Sequence, residues 1–324
     1  MKLATLAKGA LTKALVCGVG TLAELPDDRL LPGLAAIRTH GLAHVLPGLK
    51  LENQPIQFTL LRYHAGRRAA IEVRAGQRHF ALKVGATDPS SEVEIHEALA
   101  SAGVASGLGA RVPPLLAWNR ELRVMAIGWF DGPSATDLIK RGQGELAGEL
   151  AASWLRRAAS LKINLGPPLG APRMLERARK WAAVVAEADN SLKAKASELV
   201  TMLAQTQPRE GAPRLVNGGL YADHVLDLGD GPGVIDWDRF GQGPLELDAG
   251  IFLATVSRLG FRGKSSPGEV ARAEKTFLSS TAALLDARAI AWHRAAELLR
   301  FAKKTADTRR ELLHEAARLA ESLR

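Results

Sequence analysis

LVNGGLYADHVLDLGDGPGVIDWD, residues 215–238, is the only β-like stretch inside a long helical half of the chain. It ends in GVIDWD, an apolar run that closes on acids after the turn LGDGPG. A carboxylate at a buried strand end beside a turn suits a hard cation such as Mg²⁺. Asp236 is the first candidate, and Asp238, two residues on and on the same strand face, is a second ligand or a salt-bridge partner. The plain alternative is a pair of turn acids that terminate a strand.

Upstream the period changes. IQFTLLRY, RAAIEVRA and RHFALKV are short runs of strand character joined by HAGR and AGQ, which predicts an antiparallel meander. DPSSEVEIHEALASAG follows, with Asp or Ser to cap, acids in the first turn and Gly103 to stop, so it reads as a helix. VPPLLAWNRELRVMAIGWFDG reads as two more strands. From about Asp137 onward the Ala/Leu/Arg/Glu-rich spacing is helical apart from the opening stretch. The expected division is a helical and loop-rich extension over 1–50, a small sheet-plus-helix lobe over 51–131 and a helical lobe over 132–324. Two such lobes would leave a cleft for a ligand.

In HFALKV, Phe80, Leu82 and Val84 share one strand face, expected to pack on the following helix; His79, Ala81 and Lys83 share the other. On that second face the small Ala81 leaves room for a flat ring, and Lys83 can reach a phosphate; otherwise Lys83 is a surface lysine on an edge strand. A phosphate-facing lysine needs a carboxylate to hold it. Glu92 lies seven residues before Leu99 and shares its inward face, whereas Glu94 and Glu97 read as solvated charges. All three also fit as helix-start acids favoured by the dipole.

Composition sets limits on function. The chain has 324 residues, 47% hydrophobic, enough for a sizeable core and, at about 100–200 residues per domain, two units. One cysteine, Cys17, excludes internal disulfides and fits a reducing cytoplasm. No apolar run reaches the roughly 20 residues of a membrane span. The N-terminal MKLATLAKGALTKALVCGVGTLA, interrupted by Lys8 and Lys13, reads as a basic amphipathic helix rather than a secretion signal. A net charge of +9 favours anionic partners. The bases are scattered and aromatics make up 5% of the residues, so nucleic acid is not expected.

The order of these parts, Ala-x-Lys strand, Glu helix, connection, helices, Gly-containing loop and Ile-Asp strand end, resembles the aminoglycoside phosphotransferase and choline kinase family, relatives of protein kinases. The likeness runs from Ile56 to Ala254 and is carried by RYHAGRRAAIEVRAGQRHFALKV and YADHVLDLGDGPGVIDWDRFGQGPLELDAGIFLA. It implies an α+β, two-lobed, protein kinase-like fold with an antiparallel-sheet N-lobe and a larger helical C-lobe. It also implies ATP and Mg²⁺ as cofactors and a small-molecule alcohol as acceptor. By resemblance Lys83 would bind the nucleotide phosphates with Glu92 positioning it, and Asp236 would bind Mg²⁺. Met125 to Asp131, Trp129 included, would be the hinge against adenine, and Asp248 a structural acid. YHAGRR would serve as the phosphate loop, with Arg67 and Arg68 supplying charge.

The departures bear on chemistry. The family loop reads His-Gly-Asp, four residues, then Asn; here it reads Asn217-Gly218-Gly219, four residues, then His224. In kinases the Asp accepts the acceptor hydroxyl's proton and the Asn helps hold a metal. Gly219 has no side chain for the first task, and losing a general base costs about 10²–10⁴ in rate. Neutral imidazole at His224 suits softer metals than Mg²⁺. The principal expectation is therefore a pseudokinase that retains weak nucleotide and magnesium binding. An active small-molecule kinase with Asp223 or His224 as substitute base is the alternative, and a non-catalytic scaffold or anion-binding protein is a further one. An aminoglycoside acceptor is not expected, because a polycation needs carboxylates and this chain has 34 acids against 43 bases.

Overall fold

The computed structural model describes residues 25–51 and 54–324. The expected N-terminal amphipathic helix and Cys17 lie outside the described residues. The chain divides into two units, the first running up to Glu94 and resuming over Pro114–Trp129, the second comprising Ile95–Pro113 and Phe130–Arg324.

The first unit is built on a five-stranded antiparallel sheet. Strands β1 (Ile56–His64), β2 (Arg68–Ala75) and β3 (Arg78–Gly85) form the expected meander, and β4 (Leu115–Asn119) and β5 (Val124–Gly128) complete the order β1-β2-β3-β5-β4. Burial alternates strictly along β3, with Phe80, Leu82 and Val84 inside.

What covers that buried face differs from expectation. Phe80, Leu82 and Val84 do not pack on the helix that follows β3. They share a core with Leu31, Leu34 and Ile37, from the segment containing helices α1 (Pro32–His40) and α2 (Leu42–Val45). Helix α3 (Ser90–Ser101) instead sends Val93 to Met125 and Ile127, beside Ala81. The N-terminal segment brings a dense apolar stripe and takes the deeper face; one valine suffices for the shallower one. Gly33 permits this closeness, because a Cβ there would lie 2.0 Å from the Val124 side chain and 2.5 Å from the Leu122 carbonyl oxygen.

The second unit is mostly helical: α4 (Ala135–Lys140), α5 (Gly144–Ala159), α6 (Ala171–Ala188), α7 (Lys193–Gln205), α8 (Leu245–Phe261), α9 (Pro267–Thr281), α10 (Ala287–Lys304) and α11 (Arg309–Glu321). In α5 the buried Ala147, Leu150, Ala151, Trp154, Leu155 and Ala158 recur at helical spacing and make one inward stripe. Helix α8 is buried on nearly every side, as expected of a central helix. Two small ribbons interrupt the helices, β6 (Arg214–Val216) with β9 (Gly241–Gly243) and β7 (Val225–Asp227) with β8 (Pro232–Val234). They carry the segment 215–238.

Candidate functional site

In the first unit the alternation of β3 turns Lys83 away from the core, and α3 starts close enough for the Glu92 carboxylate to accept a hydrogen bond from the Lys83 ammonium. Asp88 sets that start by accepting the Ser90 N–H at 2.9 Å. Lys83 pairs in register with Met125, which is buried, and Ala81 with Ile127. Trp129 stacks on His79 with ring centroids 4.5 Å apart. The unit thus gathers Lys83, Glu92, Ala81 and Met125 around adjacent strands, with Trp129 at the end of β5.

Arg67 is exposed in the turn between β1 and β2. That turn carries a feature not foreseen from sequence. Asp28 is buried and its carboxylate accepts the Gly66 N–H at 2.7 Å and the Tyr63 hydroxyl at 2.9 Å. The Gly66 bond, above all, holds the Asp28 pKa below the ordinary carboxylate value against desolvation. The backbone donor of the expected phosphate loop is therefore engaged by an internal anion. A lone Asp 38 residues upstream gave no sign of this.

In the second unit Asp248, in the first turn of α8, organises the loop after β6. Its carboxylate accepts the Asn217 N–H at 2.7 Å and the Gly218 N–H at 2.9 Å. Burial pushes the Asp248 pKa up to about 7, opposed by backbone donors from Asn217, Gly218 and Leu220. Asn217 is buried as well: its Oδ1 accepts the Gly219 N–H at 3.1 Å and its Nδ2 donates to the Asp236 carbonyl at 3.1 Å. Gly218 adopts φ +68 with the Arg239 carbonyl 2.3 Å from where a Cβ would sit, so glycine is required there.

Gly219 is different. It lies outside the left-handed region, and a Cβ on it would sit 3.3 Å from Arg239 Cδ and 3.9 Å from Tyr221 Cε2. Backbone geometry does not demand glycine at this position.

Asp223 is exposed in a short 3₁₀ turn, Ala222–His224. His224 Nδ1 lies 3.0 Å from the Gly219 carbonyl, which can only accept, so Nδ1 carries the proton. In the neutral ring Nε2 then presents a lone pair 3.7 Å from Asp236 Oδ2. Two acceptors facing each other suit a shared proton or cation. Asp236 has φ +60, an uncommon left-handed conformation for a residue other than glycine. Asp238 lies 3.6 Å from the Arg239 guanidinium, the salt-bridge option rather than a ligand position beside Asp236.

A family model described as phosphotransferase enzyme family (APH) matches residues 59–298, about three quarters of the chain. The chain belongs to the phosphotransferase enzyme family. Its APH fold is seen in solved structures of low sequence identity. A spectinomycin phosphotransferase in complex with ADP and spectinomycin has a TM-score of 0.55 at 14% identity, covering 83% of this chain and 92% of that one. A choline kinase from Cryptosporidium parvum Iowa II has a TM-score of 0.55 at 10% identity, covering 87% and 92%. A choline kinase from Streptococcus pneumoniae has a TM-score of 0.55 at 13% identity, covering 84% and 95%. These likenesses establish the two-lobed kinase-like α+β class. No curated protein matches the sequence.

The residues of this APH member fit the family's ligands unevenly. The Lys83–Glu92 pair fits a nucleotide phosphate, since a held ammonium is ready to donate. Asp236 offers magnesium the oxygen it prefers; His224 offers nitrogen, which it does not. Among the described residues no three His, Cys, Asp or Glu side chains come together as a metal cluster. None of the described helices is long and apolar enough to cross a membrane.

Proposed function

We propose that this family member is a pseudokinase: it binds ATP or ADP weakly, with magnesium at Asp236, and does not transfer the phosphate. The observation that carries this reading is the identity and surroundings of Gly219. The position at which the family places a proton-accepting carboxylate has no side chain, and its neighbours are the cationic Arg239, the Asn217 amide oxygen and Tyr221. The substitutes are poorly disposed as bases. His224 commits Nδ1 to the Gly219 carbonyl and turns Nε2 toward Asp236, and Asp223 is solvated. Lys83 and Glu92 remain paired, which supports retained nucleotide binding. Asp28 places a negative charge under the loop that would meet the phosphates, which supports low affinity. Magnesium, when bound, would screen the phosphate charge.

The test is calorimetric titration with ATP and ADP, with and without Mg²⁺, alongside turnover assays on small alcohols. Millimolar or tighter binding lost in Lys83→Ala, with no turnover, is the expected result. Robust turnover by the unaltered protein, abolished by Asp223→Ala or His224→Ala, would overturn it in favour of an active kinase with a displaced base. Absence of any nucleotide binding would leave a scaffold.

A further inference from the structure

The two acids of GVIDWD part company, and only one of them faces His224. Asp238 lies 3.6 Å from the Arg239 guanidinium, whereas Asp236 Oδ2 lies 3.7 Å from His224 Nε2. An oxygen-only set for a hard cation is thereby replaced by one carboxylate and one imidazole nitrogen.

The imidazole is arranged as a metal ligand's would be. Its Nδ1–H donates to the Gly219 carbonyl at 3.0 Å, which fixes the tautomer and turns the Nε2 lone pair toward Asp236. Metal-bound histidines hold their other ring nitrogen in this way, through an N–H to a carbonyl or carboxylate. The Gly219 carbonyl also accepts the Tyr221 N–H at 2.7 Å, so it is itself anchored. Tyr221 packs edge-on to the His224 ring, centroids 5.0 Å apart at 63°, and its hydroxyl accepts hydrogen bonds from Arg239 and Arg300. Asp236 is fixed from its own side. Its backbone is left-handed, φ +60, and its carbonyl accepts the Asn217 amide at 3.1 Å. Strain of this kind persists where the surroundings over-determine it, and it clusters at binding sites.

A separation of 3.7 Å is less than twice the usual metal–ligand bond of about 2.1 Å, so one ion can touch both donors. Size does not choose the metal, because magnesium forms bonds of about the same length. The donor atom does. Magnesium prefers oxygen throughout, whereas a nitrogen beside a carboxylate suits divalent transition metals. Among the described residues no third His, Cys, Asp or Glu joins the pair, so the site is open rather than a structural cage. The two side chains are 15% and 29% exposed, which leaves water to complete the coordination. We propose that His224 and Asp236 form a two-residue site for a divalent transition-metal ion, selected over magnesium. This preference rests on the proposed role of Asp236 as the cation's ligand and names the metal which that role takes.

The test titrates the nucleotide-free full chain, stripped with chelator, with Mn²⁺ and follows it by electron paramagnetic resonance. Mn²⁺ is the weakest binder of the transition-metal series, so any preference it shows is a lower bound. Expected is one bound Mn²⁺ whose pulsed spectrum carries nitrogen modulation from a coordinated imidazole, displaced only by about a hundredfold excess of Mg²⁺ or more. His224→Asn, which places the family's amide there, should remove the nitrogen modulation and weaken Mn²⁺ by at least about tenfold. Asp236→Asn should weaken it as much. The exposed His40 and His44, with ring centroids 5.3 Å apart, supply the control: His40→Gln with His44→Gln should change neither readout. Oxygen-only coordination, displacement by equimolar Mg²⁺, or nitrogen modulation that survives in His224→Asn would overturn the proposal. So would the absence of Mn²⁺ binding, which would make His224 and Asp236 a plain ion pair. The parent spectrum decides even where a variant fails to fold. With nucleotide absent, failure of the nucleotide reading leaves this result standing, and oxygen-only coordination at Asp236 leaves the nucleotide reading standing.

Discussion

Arg239 stands where a side chain on Gly219 would reach, its Cδ 3.3 Å from the added Cβ. Aspartate at 219 would therefore meet a guanidinium rather than open solvent, and the backbone there is not left-handed. Gly219→Asp should fold with stability changed by no more than about 1 kcal/mol, because the backbone is not left-handed and the half-exposed Arg239 side chain, 3.3 Å from the added Cβ, can shift and pair with the new carboxylate. If the missing carboxylate is the main defect, ATP turnover should rise by about 10²-fold or more over the parent. Thermal melts and coupled ATPase assays check both halves. A folded variant that binds nucleotide without turning it over would show that Arg239 or His224 blocks transfer as well. Adding Asn217→His is expected to cost stability, since the Asn217 amide bridges the Gly219 N–H and the Asp236 carbonyl.

Asp248 couples loop geometry to pH. Asp248→Asn sets an amide N–H₂ against one of the backbone donors it now accepts and should destabilise the protein by about 1–3 kcal/mol. The sign of the pH dependence follows from a folded-state pKa raised to about 7 from the ordinary 3.8. The folded state holds the proton more tightly, so this contribution is complete below about pH 3.8 and is lost as pH rises through about 7. The stability gap between parent and variant should therefore narrow from pH 4 to pH 7.5. A gap that widens over this range would contradict the raised pKa.

Removing the partner of a buried cation should cost more. Glu297 is 2% exposed and its carboxylate takes both Arg300 Nε, at 2.6 Å, and Nη2. Glu297→Gln should lose about 3–5 kcal/mol in urea denaturation, whereas Glu297→Leu combined with Arg300→Met should recover much of it. Equal losses in the single and double variants would mean that packing rather than uncompensated charge dominates.

Asp28→Asn separates stability from affinity. It weakens the tie to Gly66 and Tyr63 and should cost about 1–3 kcal/mol. It also removes a negative charge from beneath the β1–β2 turn, so ATP should bind more tightly to the folded variant. Tighter ADP binding with a lower melting temperature is the expected pair of readouts; weaker binding would show that Asp28 shapes the turn more than it repels phosphate.

Much of the fold was legible because local signals agreed. The meander was written in alternating strands and two glycine links, α3 in its capping acid and Gly103, and the helical half in its 3.6-residue spacing. The pairing of Lys83 with Glu92 followed from a phosphate-facing lysine's need for a carboxylate and from the family resemblance; the strand-face expectation had turned Lys83 away from α3. What sequence could not supply was partnership over distance. Nothing local says that Leu31, Leu34 and Ile37 cover β3, that Asp28 reaches Gly66, or that Arg300 comes to Tyr221 across 79 residues. The acids of GVIDWD were visible as a pair; their divergence, one toward His224 and one toward Arg239, depends on the left-handed turn at Asp236.

The order in which the first unit's core is assembled has a consequence during synthesis. Leu31, Leu34 and Ile37 leave the ribosome early, yet their packing partners extend to Val124 and Ala126 on β5. At translation rates of about 5–20 residues per second, that apolar stripe waits roughly 5–20 s before its sheet can close over it. For that interval it is a target for chaperones and for misassociation between nascent chains. Synonymous codons that slow elongation between the first helix and β5 would lengthen the exposure and lower the soluble yield without altering one residue of the finished protein.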